Sequence, residues 1–404
     1  MNETTGAVGR RAAVAFIFVT VTLDMLAFGL VVPVLPRLVV QFEGGDYGRA
    51  ATFTGIVTTV WAAMQLLAMP VLGALSDRFG RRPVVLFSTL GLSVSFALVA
   101  LSRSLAWLVA ARVVSGIASA NISTASAYIA DVTPPEGRAK AFGLLSAAFG
   151  LGFILGPVVG GLLGDGDPKL PFWVAAGLAL LNFAYGLWVL PESLAPENRR
   201  PFTFKSANPW GAVRFLGSRP GLRALSVVTF LGAVANVVWP SMFVLFAGYR
   251  WHWSPRDVGL ALGGVGVSSM VVGGALVGPA VRVLGERWAM RIGLLCGSIG
   301  FAAMAYGPSG TWFWIALVIQ MPAGFTNAAV QATLSRTVAT NEQGALQGAT
   351  GALRSMADLI APGLFAASFT WGVGPNAPFS MPGLPFAIAS ALLLLGALVA
   401  QGAL

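Results

Sequence analysis

The sequence predicts an all-α polytopic membrane protein with twelve transmembrane helices in two pseudo-symmetric halves of six helices. Three observations support this fold class. Of the 404 residues, 56% are hydrophobic and 10% are charged, whereas about a quarter of the residues in soluble domains are charged. The apolar residues form runs of about 20 residues, the length that crosses a hydrocarbon core. The 50 glycines and 24 prolines lie scattered within these runs, as transmembrane helices tolerate.

Twelve apolar runs are long enough to span a bilayer. They cover about 13–36, 51–75, 83–102, 105–130, 139–163 and 170–191, followed by about 221–247, 255–281, 286–307, 311–335, 343–371 and 382–401. A connector rich in Pro, Arg and Lys separates the two sets. We therefore expect an N-terminal six-helix half at 1–191, a cytoplasmic connector at 192–220 and a C-terminal six-helix half at 221–404.

An internal repeat supports the division into halves. At an offset of 205 residues, Gly80 corresponds to Gly285 and Pro157 corresponds to Pro362. Two related halves that enclose a midplane site are the plan of carriers that work by alternating access.

The distribution of Lys and Arg indicates membrane topology instead of nucleic-acid binding. The net charge is +10, but the basic residues lie in short loops between apolar runs and not on one soluble face. Most of them fall on the side of the two termini, which the positive-inside rule assigns to the cytoplasm. We expect a multi-pass protein of the cell (cytoplasmic) membrane with both termini cytoplasmic and no nucleic-acid partner.

The chain offers little chemistry for catalysis or metal binding. Its one cysteine, Cys296, and its one histidine, His252, exclude a disulfide framework and a cysteine-based metal cluster. No phosphate-binding loop occurs in a soluble segment long enough to support it. We expect no enzyme activity, no metal and no cofactor. The expected partners are a small-molecule substrate, protons and the lipid bilayer, and the expected state is a monomer.

The loop after the second span combines small, acidic and basic residues in the string GALSDRFGRR. A small residue allows close helix packing, an acid can meet a base or a helix N-terminus, and the cations suit the cytoplasmic surface. The string resembles the signature loop of the major facilitator superfamily. The resemblance implies gating roles for Asp77, Arg78 and Arg82, whereas Arg81 could be a topology determinant alone. The predicted gating loop comprises Gly73, Asp77, Arg78, Gly80, Arg81 and Arg82.

The fifth span carries the string GFILGPVVGG. Small residues at every fourth position let helices approach closely, and a proline bends the span. The string resembles the antiporter motif of the exporter branches of the superfamily, which implies export. Generic helix packing is the alternative. The motif residues are Gly152, Gly156, Pro157, Gly160 and Gly161.

Over nearly the whole chain the sequence resembles the tetracycline/proton antiporter group of drug exporters. The matching strings include PVLGALSDRFGRRP at 70–83, AYIAD at 127–131, LPES at 190–193 and QGALQG at 343–348. Three polar positions of that group differ. Ser95, Ser269 and Gly297 stand where the group has an acid, a histidine and an acid. The resemblance therefore implies the family architecture more firmly than it implies tetracycline as the substrate.

A charged residue inside a span costs about 2.5–3.5 kcal/mol at mid-helix, and four charged residues stand out as functional candidates. By resemblance, Asp24 matches an acidic position important in the family, and Arg112 matches a buried arginine linked to proton coupling. We hypothesise that Asp24 carries the coupling proton under the influence of a nearby Arg112. A fixed structural ion pair between them is the alternative. Arg354 and Asp358 are four residues apart on one helical face, where they form either a functional pair or a self-neutralised one.

Together these features predict a secondary active transporter, specifically a proton-coupled exporter of amphipathic small molecules. Two alternatives remain open. One is a facilitator or proton symporter of an organic solute, and the other is a transport-inactive membrane scaffold. Transport direction separates the first alternative from export, since an exporter lowers the cellular content of a probe. An intact gating loop argues against the scaffold, which has no use for one.

Overall fold

A computed structural model describes residues 3–119, 121–199, 220–339, 342–375, 377 and 380–403. Every regular element in these residues is helical, as the sequence predicts. The first eight α-helices are α1 Glu3–Val31, α2 Leu35–Phe42, α3 Tyr47–Phe79, α4 Arg81–Ala100, α5 Leu105–Ile117, α6 Asn121–Val132, α7 Arg138–Gly166 and α8 Leu170–Val189. The next eight are α9 Pro220–Asn236, α10 Val238–Trp251, α11 Pro255–Val271, α12 Val277–Tyr306, α13 Thr311–Gln320, α14 Gly324–Thr337, α15 Gln343–Val373 and α16 Leu384–Ala403.

Ten helical stretches among the described residues are long and apolar enough to cross a membrane. Twelve spans are predicted, and two features of the helices account for the difference from ten. The stretch Pro255–Tyr306 has 52 residues and holds two spans, which meet at Gly285, where the backbone has a φ of 76°. The span predicted at 105–130 is divided into α5 and α6, and α5 has only 13 residues. The multi-pass, all-helical architecture is therefore confirmed.

The chain divides into two compact units. Unit 1 consists of Met1–Leu38, Val60–Ala207 and Ser254–Gly263, and unit 2 consists of Val39–Thr59, Asn208–Trp253 and Gly264–Leu404. Each unit thus takes most of one predicted half and a short segment of the other. Most of the predicted connector at 192–220 lies outside the described residues, and the predicted boundaries of the halves stay a prediction.

The core of unit 1 packs around α1. Phe16 and Ile17 of α1 and Tyr128 of α6 belong to one hydrophobic cluster, and all three are almost completely buried. Phe16 also stacks on Tyr185 of α8, with ring centroids 4.6 Å apart. Close packing of this kind holds membrane helices together, because lipid tails are as apolar as the side chains themselves.

The core of unit 2 is an aromatic cluster. Phe243, Phe313 and Phe386 are completely buried, and each lies 5.1–6.3 Å from the ring of Trp239, measured between centroids. All three ring pairs are tilted or edge-on, as the quadrupoles of aromatic rings prefer. The cluster gives α10 a rigid surface beside the interruption that separates it from α9.

Three spans of unit 2 depart from regular α-helix. The first is interrupted between Asn236 and Val238, where α9 ends and α10 begins. A π-helical turn covers Val272–Leu276, and a 3-10 turn covers Met321–Ala323. The π-helical turn contains glycine at 273 and 274, and the 3-10 turn contains proline at 322. Glycine weakens a helix and proline lacks the backbone donor, which accounts in part for these two turns. Such turns inside helices are common at functional sites.

Candidate functional site

Arg81 lies at the centre of the predicted gating loop. Its Nη1 donates a hydrogen bond to Asp77 Oδ1 at 2.5 Å, and its Nε donates to Asp131 Oδ2 at 3.0 Å. The Arg81 side chain is only 13% exposed, against 24% for Asp131 and 46% for Asp77. One guanidinium therefore joins the end of α3 to the end of α6 through two charge-assisted contacts.

Glu192 completes this cluster by capping the start of α4. Its Oε1 accepts a hydrogen bond from the backbone N–H of Arg81 at 2.7 Å, and its Oε2 accepts one from that of Arg82 at 3.2 Å. A carboxylate at a helix N-terminus satisfies free donors and meets the positive end of the helix dipole. Gly80 precedes the helix with a φ of 108° and leaves room for this carboxylate, because a Cβ there would clash with Glu192.

The other residues of the gating loop make different contacts. Arg82 Nη2 donates to the Leu187 carbonyl oxygen at 2.7 Å, and the Arg78 guanidinium lies 5.0 Å from the centre of the Phe79 ring. A Cβ at Gly73 would meet no atom within 4 Å. The ion-pair cluster is therefore built on Arg81, the residue for which the sequence offered topology alone as an alternative. Asp131 and Glu192 were visible in the sequence only within the strings AYIAD and LPES.

The glycines of the antiporter motif form the contact between α7 and α1. A Cβ at Gly156 would lie 2.6 Å from the Cα of Gly29, and one at Gly29 would lie 2.9 Å from Pro157 Cδ. Gly152 faces Met25 in the same way. Gly160 faces the backbone of Leu30. Gly161 faces Gly259 of α11, so that a Cβ there would lie 2.9 Å from the Gly259 Cα. Within unit 1, the motif thus brings α7 to backbone contact distance of α1 and of the first part of α11.

Asp24 lies deep in unit 1, with 3% of its surface exposed. Its Oδ1 accepts a hydrogen bond from Asn182 Nδ2 of α8 at 2.9 Å, and the same nitrogen donates to the Thr20 carbonyl oxygen at 3.1 Å. Asn182 is 2% exposed, and the sequence marked it only as a polar residue within a span. Tertiary packing therefore supplies Asp24 with an amide partner from a helix distant in the sequence.

Arg112 is a half-buried residue of α5. None of the ion pairs found in the described part of the chain involves Arg112. Its backbone carbonyl accepts a hydrogen bond from Ser115 Oγ at 3.4 Å. The roles predicted for Arg112 and Asp24 remain predictions.

A cavity of about 360 Å³ lies within unit 2, a volume at the lower end of those that take a drug-sized ligand. It opens beside the three interrupted spans described above. Trp239 and Phe301 supply aromatic walls. The longest polar side chains that line it are Asn236, Gln320, Asn327, Gln331 and Arg354.

The two charged residues of α15 have different positions. Arg354 lines the cavity. Asp358 lies one turn further along the helix and interacts electrostatically with Arg354. No ion pair within 4.0 Å joins the two among the contacts of the described residues. Arg354 is therefore the charged residue of the described cavity lining, and none of the short ion pairs involves it.

The three positions that differ from the tetracycline exporters are placed as follows. Ser269 lines the cavity of unit 2. Gly297 packs against that unit's other helices, and a Cβ there would lie 2.8 Å from Leu393 Cδ1. Ser95 Oγ donates a hydrogen bond to the Ala111 carbonyl oxygen at 3.0 Å.

Comparison with known proteins identifies the family. Residues 17–362 match the model of the Major Facilitator Superfamily. The chain is 38% identical over 364 residues to the class C tetracycline resistance protein of Escherichia coli, covering 89% of this chain and 91% of that protein. It is 32% identical over 344 residues to the class B tetracycline resistance protein of Escherichia coli, covering 85% of each.

Solved structures show the same fold. The human organic anion transporter MFSD10 (TETRAN) superposes with a TM-score of 0.69 at 24% identity, covering 97% of this chain and 99% of that one. The nucleoside transporter NupG superposes with a TM-score of 0.79 at 12% identity, covering 97% and 98%. The family match and the similarity to the tetracycline resistance proteins confirm the predictions of a transporter and of no enzyme activity. The chain belongs to the Major Facilitator Superfamily and is a multi-pass secondary transporter.

Proposed function

We propose that this transporter exports amphipathic small molecules from the cytoplasm in exchange for protons. The observation that carries the proposal is the carboxyl group of Asp24, which is 3% exposed within a membrane-spanning helix. Ionisable groups are expensive at this depth, and where they occur in transporters they commonly belong to proton relays. The similarity to tetracycline resistance proteins supports the outward direction.

Asn182 is suited to hold Asp24 in both of its protonation states. Its Nδ2 donates to Asp24 Oδ1, while its own Oδ1 is buried and has no hydrogen-bond partner in the described part of the chain. An ionised carboxylate accepts hydrogen bonds only, whereas a protonated one also donates. Rotation of the amide would let Asn182 Oδ1 accept a hydrogen bond from the protonated carboxyl, so that Asp24 keeps a partner in both states.

The Arg81 cluster supplies the conformational control that exchange requires. Alternating access needs a part of each unit that stays assembled in one state and can rearrange in another. The cluster joins the ends of α3, α4 and α6 to Glu192 through a few charge-assisted bonds. We propose that it holds this end of unit 1 in one conformation during the transport cycle.

The distribution of charge supports a location and an orientation. The Lys and Arg residues concentrate in the loops on the side of the two termini, and positive charge near short loops favours the cytoplasmic side. We propose that the protein lies in the cell (cytoplasmic) membrane with both termini cytoplasmic, and that it acts as a monomer surrounded by lipid. Tetracyclines are one candidate substrate class, although Ser269 and Gly297 replace two polar residues of the tetracycline exporters.

Proton-gradient-dependent efflux from cells tests the proposal. The probes are a tetracycline, an anionic dye and a lipophilic cation, and the proteins are the wild type, Asp24→Asn and Asp165→Asn. Asp165 is the matched control, an exposed acid in the same unit. We expect the wild type and Asp165→Asn to lower the cellular content of at least one probe, and collapse of the proton gradient or Asp24→Asn to abolish the effect.

Three other results would count against the proposal. Proton-driven efflux that persists in Asp24→Asn would show that the proton binds elsewhere. A rise in probe content would indicate an importer or facilitator. A well-folded wild type that moves no probe in either direction would favour a transport-inactive scaffold.

A further inference from the structure

Arg354 is the only side chain with a formal charge among the described residues that line the cavity of unit 2. It comes from the middle of α15, a helix of 31 residues that is apolar enough to span a membrane. The polar groups around it are amides and hydroxyls, including those of Gln320, Gln331 and Ser269. Arg354 therefore supplies the one positive charge of the described cavity lining, and the other lining residues are neutral.

The structure leaves this charge without a close counter-ion among the described residues. Asp358, the nearest acid on the same helical face, interacts with Arg354 electrostatically but forms no ion pair with it within 4.0 Å. Charges inside a membrane protein usually pair with one another or face a pathway for substrate or ions. Since Arg354 lines the cavity, we assign it to the charges that face a pathway for substrate or ions.

The chemistry of arginine narrows the choice of ligand. A guanidinium presents its N–H donors in a planar fork that matches a carboxylate or a similar oxyanion. The neighbouring amides of Asn236 and Asn327 can each donate hydrogen bonds to further oxygens. A cationic ligand in the cavity would meet a like charge at short range, which is unfavourable.

The walls of the cavity favour a ligand with a flat apolar part. Trp239 and Phe301 line it, and their ring centroids are 6.1 Å apart. Trp239 is held by the aromatic cluster of unit 2, so that its ring is fixed before a ligand arrives. Rigid aromatic walls bind flat apolar groups with little loss of side-chain entropy.

From this arrangement we infer that the cavity of unit 2 binds organic anions, with the anionic group on Arg354 and the apolar body against Trp239. The inference deepens the proposed function by naming its substrate class and rests on that proposal for the assumption that this cavity is on the transport route. It applies equally to carboxylates and sulfonates, which share the geometry that the guanidinium fork recognises.

Equilibrium binding to the purified full-length protein in lipid nanodiscs tests the inference independently of transport. Three probes share one naphthalene body and differ only in a side arm that ends in a carboxylate, a carboxamide or a trimethylammonium group. We expect the wild type to bind the carboxylate about tenfold more tightly than the carboxamide, and the trimethylammonium probe most weakly.

Variants then assign this preference to one residue. Arg354→Gln should remove the advantage of the carboxylate and leave binding of the carboxamide unchanged. Arg354→Lys should keep part of the advantage of the carboxylate, since the charge remains but the planar fork is lost. Arg282→Gln is the matched control, an exposed arginine of the same unit outside the cavity, and it should bind all three probes as the wild type does.

The outcomes separate this inference from the proposed function. A wild type that binds the carboxylate no more tightly than the carboxamide, or that prefers the trimethylammonium probe, overturns the inference even if Arg354→Gln does not fold. Retention of the preference in a folded Arg354→Gln also overturns it. If the preference holds but no probe is exported in a proton-dependent way, the inference stands and the proposed function fails. If proton-driven export occurs without the preference, the proposed function stands and the inference fails.

Discussion

Gly156 lies where α7 touches the backbone of α1, and replacing it with alanine is the most direct test of the antiporter motif. A Cβ at this position would lie 2.6 Å from the Gly29 Cα and 2.9 Å from the Leu26 carbonyl oxygen. Both are backbone atoms, which cannot rotate away as the end of a flexible side chain could. The added methyl group can be accommodated only if the two helices separate.

The size of the effect follows from these distances. Ordinary van der Waals contacts of a Cβ begin at 3.4 Å, so α1 and α7 would have to move apart by about 0.8 Å. A shift of this size loosens contacts along the whole interface between them. Overpacking in a well-packed core costs about 1–3 kcal/mol. The gain in helix propensity from glycine to alanine, about 1 kcal/mol, offsets only part of this.

Gly143→Ala provides the matched control, because Gly143 lies on the same helix and a Cβ there would meet no atom within 4 Å. It gains the same helix propensity without the clash. We expect Gly143→Ala to be as stable as the wild type or slightly more stable, and Gly156→Ala to be less stable than both. Thermal unfolding of the purified proteins in detergent, followed by size-exclusion chromatography, measures this difference.

One result would refute the reasoning about the motif. If Gly156→Ala unfolds at the same temperature as Gly143→Ala, the close approach of α1 and α7 is not a requirement of the fold. Equal stability combined with loss of transport would mean that the glycine serves helix movement instead of static packing.

Three further substitutions test other contacts of unit 1. Gly80→Ala combines a φ of 108° with a clash against Glu192, and we expect a loss of stability of about 1–3 kcal/mol, visible as a lower unfolding temperature. Arg81→Lys keeps the charge but loses the fork that contacts two carboxylates, and we expect slower transport with unchanged probe binding, measured as initial rates in vesicles. Asn182→Leu removes the amide that binds Asp24, and we expect proton-driven uptake into inverted vesicles to fall about tenfold, as for loss of a hydrogen bond to a charged group.

Each of these substitutions has its own control. Gly285→Ala is subject to the same kind of backbone strain, with a φ of 76°, but meets no atom within 4 Å, and it should lose less stability than Gly80→Ala. For Arg81→Lys, an unchanged transport rate would rule out a conformational role of the fork. For Asn182→Leu, substrate counterflow without a proton gradient should persist, and its parallel loss would point to misfolding.

The positions of the membrane-spanning segments could be predicted from the sequence because insertion into a bilayer depends on the composition of each segment alone. The irregular turns were harder to foresee. The π-helical turn at Val272–Leu276 and the 3-10 turn at Met321–Ala323 both lie inside predicted spans. Glycine and proline at these places permit an interruption but do not require one.

In the candidate site, the sequence indicates the functional residues but not the residues that they contact. Asp24, Arg354 and the motif glycines were identified in the sequence because charges and glycine strings are conspicuous in apolar runs. Their partners were not identified as such. Asn182 is 158 residues from Asp24 in the chain, and Glu192 is 111 residues from Arg81.

The all-helical membrane class, the approximate spans and the family follow from the amino-acid sequence, since these depend on local apolar content and on strings of neighbouring residues. Which polar groups meet depends instead on how the helices pack. The packing places Arg81 between two carboxylates, Asn182 on Asp24, and Arg354 in the lining of a cavity without a short ion pair to Asp358. A hydrogen bond or ion pair depends on distances of about 3 Å between atoms, and only the packing of whole helices sets such distances between residues far apart in the chain.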